Sequence, residues 1–133
     1  GPALKIVTAA IIKQDNQILI TRRKTGEKLP GFWEFPGGKI EDGETPQACL
    51  ERELFEELGI RAKANDILAE SIYTYDHGQI KLLGISIELI DQEIHLTVHD
   101  KFEWVPIGQL LNYKLAPADI PIAKKIQGMT NNV

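Results

Sequence analysis

Apolar and polar residues alternate loosely along Leu4–Lys13, a run rich in Ile, Val, Thr and Ala. That pattern predicts a strand with buried faces. Asp15-Asn16 marks a hairpin turn, and Gln17–Arg23 returns as a second strand. Thr25–Gly31 is polar and holds Gly and Pro, as suits the rim of a pocket. Phe32-Trp33-Glu34-Phe35 is aromatic, and at least one of Trp33 and Phe35 is expected in the core. The period then changes. Thr45 can cap a helix N-terminus, Pro46 suits the first helical position, and Gly59 suits the left-handed residue that ends a helix. Pro46–Leu58 therefore reads as one helix.

Beyond it, Ile60–Ala62 reads as a short strand. Ile67–Tyr75 and Gln79–Ile90 read as two strands joined at Asp76-His77-Gly78, a hairpin signal. Gly84 inside the second implies a bulge or a close backbone approach. His95–Trp104 carries His99, Asp100 and Glu103, and Glu103-Trp104-Val105 reads as strand with Trp104 in the core. Pro106–Leu111 predicts a short helical turn. Pro117-Ala118-Asp119 leads into a last helix ending near Gly128, with Asp119 a natural N-cap. Thr130–Val133 reads as disordered. The order strands, helix, strands, helix fits an α/β chain with a mixed sheet between helices.

The central helix is unusual in its charge. At about 100° per residue, Arg52, Glu53, Glu56 and Glu57 fall within an arc of roughly 140°. Ala48, Leu54, Phe55 and Leu58 fall on the other side. Glu53 and Glu57 form a like-charge pair at i,i+4, which weakens an isolated helix by a few tenths of a kcal/mol. Arg52 and Glu56 offset part of that. A solvated acidic face is the plain explanation of such a helix. A site for a hard divalent cation is the other, because Mg²⁺ takes oxygen ligands and keeps waters for substrate phosphate.

The upstream residues favour the second explanation. Gly38 is followed by five residues and Glu44, then by seven residues and Arg52-Glu53-Leu54-Phe55-Glu56-Glu57-Leu58-Gly59-Ile60. At roughly 5–7% usage per residue type, seven fixed positions match by chance on the order of once in 10⁸ starting points. Gly37 and Gly38 let backbone approach a ligand, so that a carbonyl can face a metal. Lys39 is the one cation inside that loop, placed for a phosphate oxygen or for pairing with Glu41 or Asp42. Glu34, between two aromatics, is expected to face the pocket. Phe35 offers a surface for a base, since aromatic faces stack on nucleobases at about 1–3 kcal/mol each.

Composition narrows the classes. The chain has 133 residues, 43% of them hydrophobic and 26% charged, which reads as one globular domain over 1–133. Gly1-Pro2 reads as a remnant of tag cleavage. No apolar run approaches the roughly 20 residues of a membrane span, and no signal peptide is visible. The single cysteine, Cys49, excludes an internal disulfide and suits a reducing cytoplasm; it reads as a small filler. A net charge of −4 argues against a nucleic acid polymer as partner. An acidic chain acting on polyphosphates needs metal ions between the two charges.

The Gly38–Ile60 stretch resembles the Nudix box of the Nudix hydrolase family at every defined position. Ile20-Thr21-Arg22-Arg23 and Trp33-Glu34-Phe35-Pro36-Gly37-Gly38-Lys39 look like its MutT-type branch. Leu115-Ala116-Pro117-Ala118-Asp119-Ile120-Pro121 looks like the CTP pyrophosphohydrolases within it. The resemblance implies an α/β/α sandwich with the box as a loop–helix–loop at one sheet end. It implies pyrophosphohydrolysis of a nucleoside triphosphate to the monophosphate and pyrophosphate. Mg²⁺, or Mn²⁺, would be held by Glu53, Glu56, Glu57 and the Gly37 carbonyl. Glu53 is the first choice for general base, with Glu57 both ligand and alternate. Arg52 would orient the carboxylates, and Glu44 would partner Arg52 or hold the ion through water. Arg23 would contact the nucleotide, and Asp119 would read the base edge. Many family members place a glutamate just before His99 as a further ligand or base; this chain has Val98, so Asp100 or Glu103 would substitute, or neither. Cytidine nucleotides (CTP, dCTP, 5-methyl-dCTP) come first as substrates and 8-oxo-dGTP second. A non-hydrolytic nucleotide-binding module and a hydrolase of ADP-ribose or another nucleoside diphosphate derivative are remoter alternatives. Either a monomer or a homodimer is compatible with all of this.

Overall fold

The computed structural model describes residues 4–76 and 78–129. Gly1-Pro2, His77 and Thr130–Val133 lie outside them, and so do the expectations placed on those residues. The elements run β1 (Leu4–Gln14), β2 (Gln17–Arg23), β3 (Trp33–Glu34), α1 (Pro46–Leu58), β4 (Ala62–Tyr75), β5 (Gly78–Leu89), β6 (His99–Pro106), a 3-10 turn (Ile107–Asn112) and α2 (Asp119–Gln127).

The turn between β1 and β2 takes left-handed backbone at Asp15 (φ 49°) and Asn16 (φ 65°), the two-residue geometry that closes a twisted hairpin. The strands then part. β1 pairs in parallel with β5, from Leu4↔Gln79 to Ile12↔Ile87, while β2 pairs antiparallel with β6. β4 pairs antiparallel with β5, and β3 with the end of β2. The sheet is therefore mixed, as expected. Where β1 and β2 diverge, the segment after β3 takes up the edge of β1 that β5 leaves. The Thr8 N–H donates to the Gly38 carbonyl at 2.8 Å, Ala10 N–H to the Pro36 carbonyl at 2.7 Å, and Ile40 N–H to the Ile6 carbonyl at 3.0 Å. The glycine loop is thus held along a central strand.

Alternation along β1 splits the core. Ala10 and Ile12 face α1 with Leu19, Leu50, Leu54 and Leu58, whereas Ala9 and Ile11 face α2 with Ile122, Ala123 and Ile126. A helix covers each face, which is the α/β/α layering. The Thr45 hydroxyl accepts from the Ala48 N–H at 3.1 Å, and Gly59 ends α1 at φ 66°. Burying Leu50, Leu54 and Leu58 contributes on the order of 6 kcal/mol. The like-charge pair costs a few tenths, so packing decides that this segment is helical.

Several expectations are corrected. Phe55 is 60% exposed, and Ala48 is exposed too; the buried stripe is Cys49, Leu50, Leu54 and Leu58. That stripe abuts the glutamates, so Glu57 lies half-buried at its margin. Ile60 and Arg61 are not strand. Instead β4 runs unbroken from Ala62, its register shifting between Ala64 and Ile67 and again before Ala69. This lets polar Lys63, Asn65 and Asp66 stay exposed on an edge strand. β6 starts only at His99, and Trp104 is half-buried. Asp119 is not the N-cap of α2; Ala118 occupies that place without a side-chain bond. Gly84 does mark a close approach, since a Cβ there would lie 3.0 Å from Ile122 of α2.

Candidate active site

A cleft of about 600 Å³ opens where β1 and β2 diverge. Arg23 enters it from the end of β2, Glu34 from β3, Phe35 from just after β3, Gly37, Gly38 and Lys39 from the loop, and Asp119 from the start of α2. Val7, Ile80 and Leu82 supply an apolar floor on the same sheet face. Lys5, Thr8, Lys28, Leu29, Tyr75, Gly78, Gln79, Ala116 and Ala118 complete the lining.

Asp119 is the buried carboxyl of the lining. Its side chain is 6% exposed, and Oδ2 accepts from the Phe35 backbone N–H at 2.9 Å. The carboxylate thus spans α2 and β3 and leaves its own helix start uncapped. Burial pushes its pKa well up, and the Glu34 charge adds to this, against the Phe35 N–H. Glu34 is the hub beside it. Oε1 accepts from Arg23 Nε at 3.0 Å, and Oε2 lies 2.8 Å from His99 Nε2. Phe35 and Trp33 are both core residues. Lys39 is exposed and forms no ion pair with Glu41 or Asp42 among the described residues.

The acidic helix lies beyond the glycine loop and is organised by Arg52. Its Nε donates to Glu44 Oε2 at 2.6 Å, Nη2 to Glu44 Oε1 at 2.9 Å, and Nη1 to Glu53 Oε1 at 2.9 Å and Glu56 Oε2 at 3.3 Å. The Arg52 guanidinium, aided by the Glu41 N–H, holds the Glu44 carboxyl down at about 2. Glu53 is pushed up by burial against the pull of Arg52. It packs on Gly38 so closely that a Cβ there would fall 2.3 Å from its carboxyl carbon. Cys49 is buried beneath, with its sulfur 3.6 Å from both the Thr8 hydroxyl and the Gly38 carbonyl.

Glu57 carries the strongest signal of a missing partner. Its Oε1 is buried and makes no hydrogen bond among the described residues. Burial first, then the charges of Glu34 and Glu53, raise its carboxyl to about 8, while Arg23 and the Gly37 N–H oppose them. Among the described residues no three acidic or imidazole side chains already form a ready-made ion site, because Arg52 holds Glu53 and Glu56 to itself. The donor set nevertheless suits a hard divalent ion: carboxylate oxygens, one of them orphaned, crowded by like charges that a cation would offset.

The structure brings Arg23, Glu34, Phe35, Gly37, Lys39 and Asp119 into one cleft. Glu53 lines an adjoining depression with Lys39, Glu41 and Asp42, and Glu56 and Glu57 are outside the cleft lining. Neither substitute for the glutamate absent at Val98 points to the site. Asp100 is engaged bidentately by Arg22, at 2.7 and 2.9 Å, and Glu103 accepts from the Tyr113 hydroxyl. The rim expected over Thr25–Gly31 supplies Lys28 and Leu29. Sequence reasoning missed Lys5, Tyr75 and Gln79 as cleft residues, and His99 as the partner of Glu34. Parity with Val7 on β1 could have found Lys5; nothing local could have found the others.

The NUDIX domain profile matches residues 4–126. The chain is 34% identical to the CTP pyrophosphohydrolase of Escherichia coli over 92% of its length and 91% of that protein's. It is 49% identical to the 8-oxo-dGTP diphosphatase of Haemophilus influenzae over 95% of its length and 93% of that protein's. The solution structure of the Escherichia coli ORF135 protein superposes with a TM-score of 0.83 at 34% identity, covering 96% of this chain and 94% of that one. With its mixed sheet between helices and a profile match across nearly the whole chain, this protein belongs to the Nudix hydrolase family.

Proposed function

We propose that the protein hydrolyses nucleoside triphosphates to the monophosphate and pyrophosphate, acting first on cytidine nucleotides (CTP, dCTP, 5-methyl-dCTP). The observation that carries this reading is the buried Asp119 carboxyl in a cleft that the glycine loop beside the acidic helix also lines. Mg²⁺, or Mn²⁺ in its place, would be held by Glu53, Glu56, Glu57 and the Gly37 carbonyl. Such an ion neutralises phosphate charge and makes a water more acidic. Glu53 takes the proton of the attacking water, and Glu57 is the alternate. Arg52 and Glu44 keep the carboxylates in place without touching substrate. Arg23 and Lys39 bind phosphate oxygens, Phe35 backs the base, and Glu34 orients Arg23.

The base follows from Asp119. Burial and the Glu34 charge favour its protonated form, which presents an O–H donor beside a C=O acceptor. Cytosine offers the complement, N3 as acceptor and its amino group as donor. The match of Leu115–Pro121 to the CTP pyrophosphohydrolases supports the same choice. The second reading is 8-oxo-dGTP hydrolysis. The Haemophilus influenzae relative, more alike at 49% identity, favours it. The chemistry permits it as well, since 8-oxoguanine offers O6 and an N7–H where guanine offers two acceptors. The lone buried thiol suits a reducing cytoplasm, and residues 1–133 act as one domain, as monomer or homodimer.

The test is a nucleotide panel with Mg²⁺, with kcat/KM measured for wild type, Asp119→Ala and Asp119→Asn. The proposal expects CTP or dCTP to lead the panel, and the ratio of CTP to UTP to fall by about tenfold in Asp119→Ala, which loses donor and acceptor, and much less in Asp119→Asn, which keeps one of each. An unchanged ratio in Asp119→Ala would make Asp119 purely a tie between α2 and β3.

A further inference from the structure

β6 does something at its first residues that the rest of the strand does not. Its register with β2 runs Ile20↔Glu103, Thr21↔Phe102 and Arg22↔Lys101, then skips to Arg23↔His99. The skipped residue is Asp100. A bulge of this kind re-aims the side chains on either side of it. Asp100 is turned outward, where Arg22 grips it with two hydrogen bonds at 2.7 and 2.9 Å. His99 is turned inward and is 3% exposed. The Lys24 N–H, donating to the Val98 carbonyl at 3.3 Å, closes the arrangement from the other side.

Inside, His99 Nε2 lies 2.8 Å from Glu34 Oε2, while Glu34 Oε1 accepts from Arg23 Nε at 3.0 Å. Glu34 is ion-paired with Arg23, and a carboxylate in such a pair only accepts, so this contact calls for the proton on Nε2. Nδ1 is buried without a hydrogen-bond partner among the described residues. An unpaired lone pair there is a smaller burden than an unpaired N–H. A histidine carrying one orphaned nitrogen into the core is a poor choice for packing alone. It suits a residue whose other nitrogen has a task.

We propose that His99 is a positioning residue for substrate binding: its Nε2–H fixes the Glu34 carboxylate, and through it the Arg23 guanidinium that lines the cleft. The bulge at Asp100, stapled by Arg22, delivers the imidazole to Glu34. This inference rests on the reading that the cleft takes a nucleotide. It adds to that reading a residue that touches neither substrate nor metal.

The experiment compares His99→Leu and His99→Gln, each checked for folding by circular dichroism and Tm. Leucine removes the donor; a glutamine amide can restore one. In His99→Leu, KM for CTP and for 8-oxo-dGTP rises about tenfold, as for loss of one charge-assisted hydrogen bond, and kcat changes far less. His99→Gln recovers most of the lost affinity. In an Arg23→Ala background the same leucine substitution has little further effect, because the guanidinium it positions is gone. An unchanged KM in a folded His99→Leu protein overturns the proposal, and so does an equal loss with and without Arg23.

A second arm does not depend on activity, and its main readout needs only the wild type. Long-range ¹H–¹⁵N correlation spectra of the wild type identify which ring nitrogen carries the proton. The proposal expects Nε2–H, with a shift of that signal in Glu34→Gln. Protonation at Nδ1 alone overturns it. If the wild type neither binds nor turns over any nucleotide, the functional reading fails, and this spectrum still decides whether Glu34 holds His99.

Discussion

Glu57 concentrates the conflict between folding and function in one carboxyl. Its Oε1 has no hydrogen-bond partner among the described residues, and its pKa is raised from 4.5 to about 8. The unfolded chain releases that proton near 4.5 and the folded chain keeps it until about 8. Between those values the folded state binds more protons, so stability falls as pH rises. At about 1.4 kcal/mol per pKa unit, the loss by pH 8 is on the order of 4 kcal/mol. Chemical denaturation of EDTA-treated protein should therefore show stability declining from pH 5 to pH 8, and Glu57→Gln should flatten that decline. An equally steep decline in the variant would remove Glu57 as its source. The position of Glu57 was legible from helical spacing alone. Its burial was not, because spacing gives an arc and only the sheet decides where the arc is covered. The same gap explains Phe55: it is apolar and helical, yet it lies on the arc away from β1 and stays in water. Asp119 was legible as a candidate reader of the base. That Phe35 rather than its own helix would take its oxygen depends on residues 84 apart in sequence.

At the scale of elements, the loop from Pro36 to Ile40 joins substrate cleft and acidic helix by running along β1. Its two glycines serve different contacts. A Cβ at Gly37 would fall 2.0 Å from the Thr8 backbone oxygen, whereas one at Gly38 meets the end of the Glu53 side chain. Backbone in a central strand cannot yield; a carboxylate can swing away. Gly37→Ala should therefore destabilise the protein by about 1–3 kcal/mol, the range for overpacking. Gly38→Ala should keep Tm nearly unchanged and lose activity by displacing Glu53. Thermal melts with kcat for both variants check this; equal Tm losses would contradict it. α1 was legible end to end because Thr45, Pro46 and Gly59 signal locally. The joins around β4 and β6 were not. The shifts that carry β4 past Asn65-Asp66, and the bulge that turns Asp100 outward, answer to partner strands far away in sequence.

Over the whole molecule, the mixed sheet with a helix on each face followed from the order of elements, but the point of divergence between β1 and β2 did not. That divergence creates the cleft, because β1 goes with β5 and β2 with β6. The molecule is acidic overall, at −4, yet Lys5, Arg23, Lys28 and Lys39 line the cleft. The cleft can therefore draw in polyphosphate while the carboxylates stand behind the glycine loop. Arg52 keeps Glu44, Glu53 and Glu56 in one network, and Glu57 Oε1 has no hydrogen-bond partner among the described residues. A divalent ion would partner it.

The most direct measurement is pyrophosphate release from CTP and 8-oxo-dGTP by EDTA-stripped protein as Mg²⁺ is titrated back, for wild type and Glu57→Gln. Wild type should be inactive without metal and recover saturably, and the variant should remain at least about 10²-fold slower at every concentration. Turnover in EDTA, or a Glu57→Gln curve matching wild type, would contradict the account.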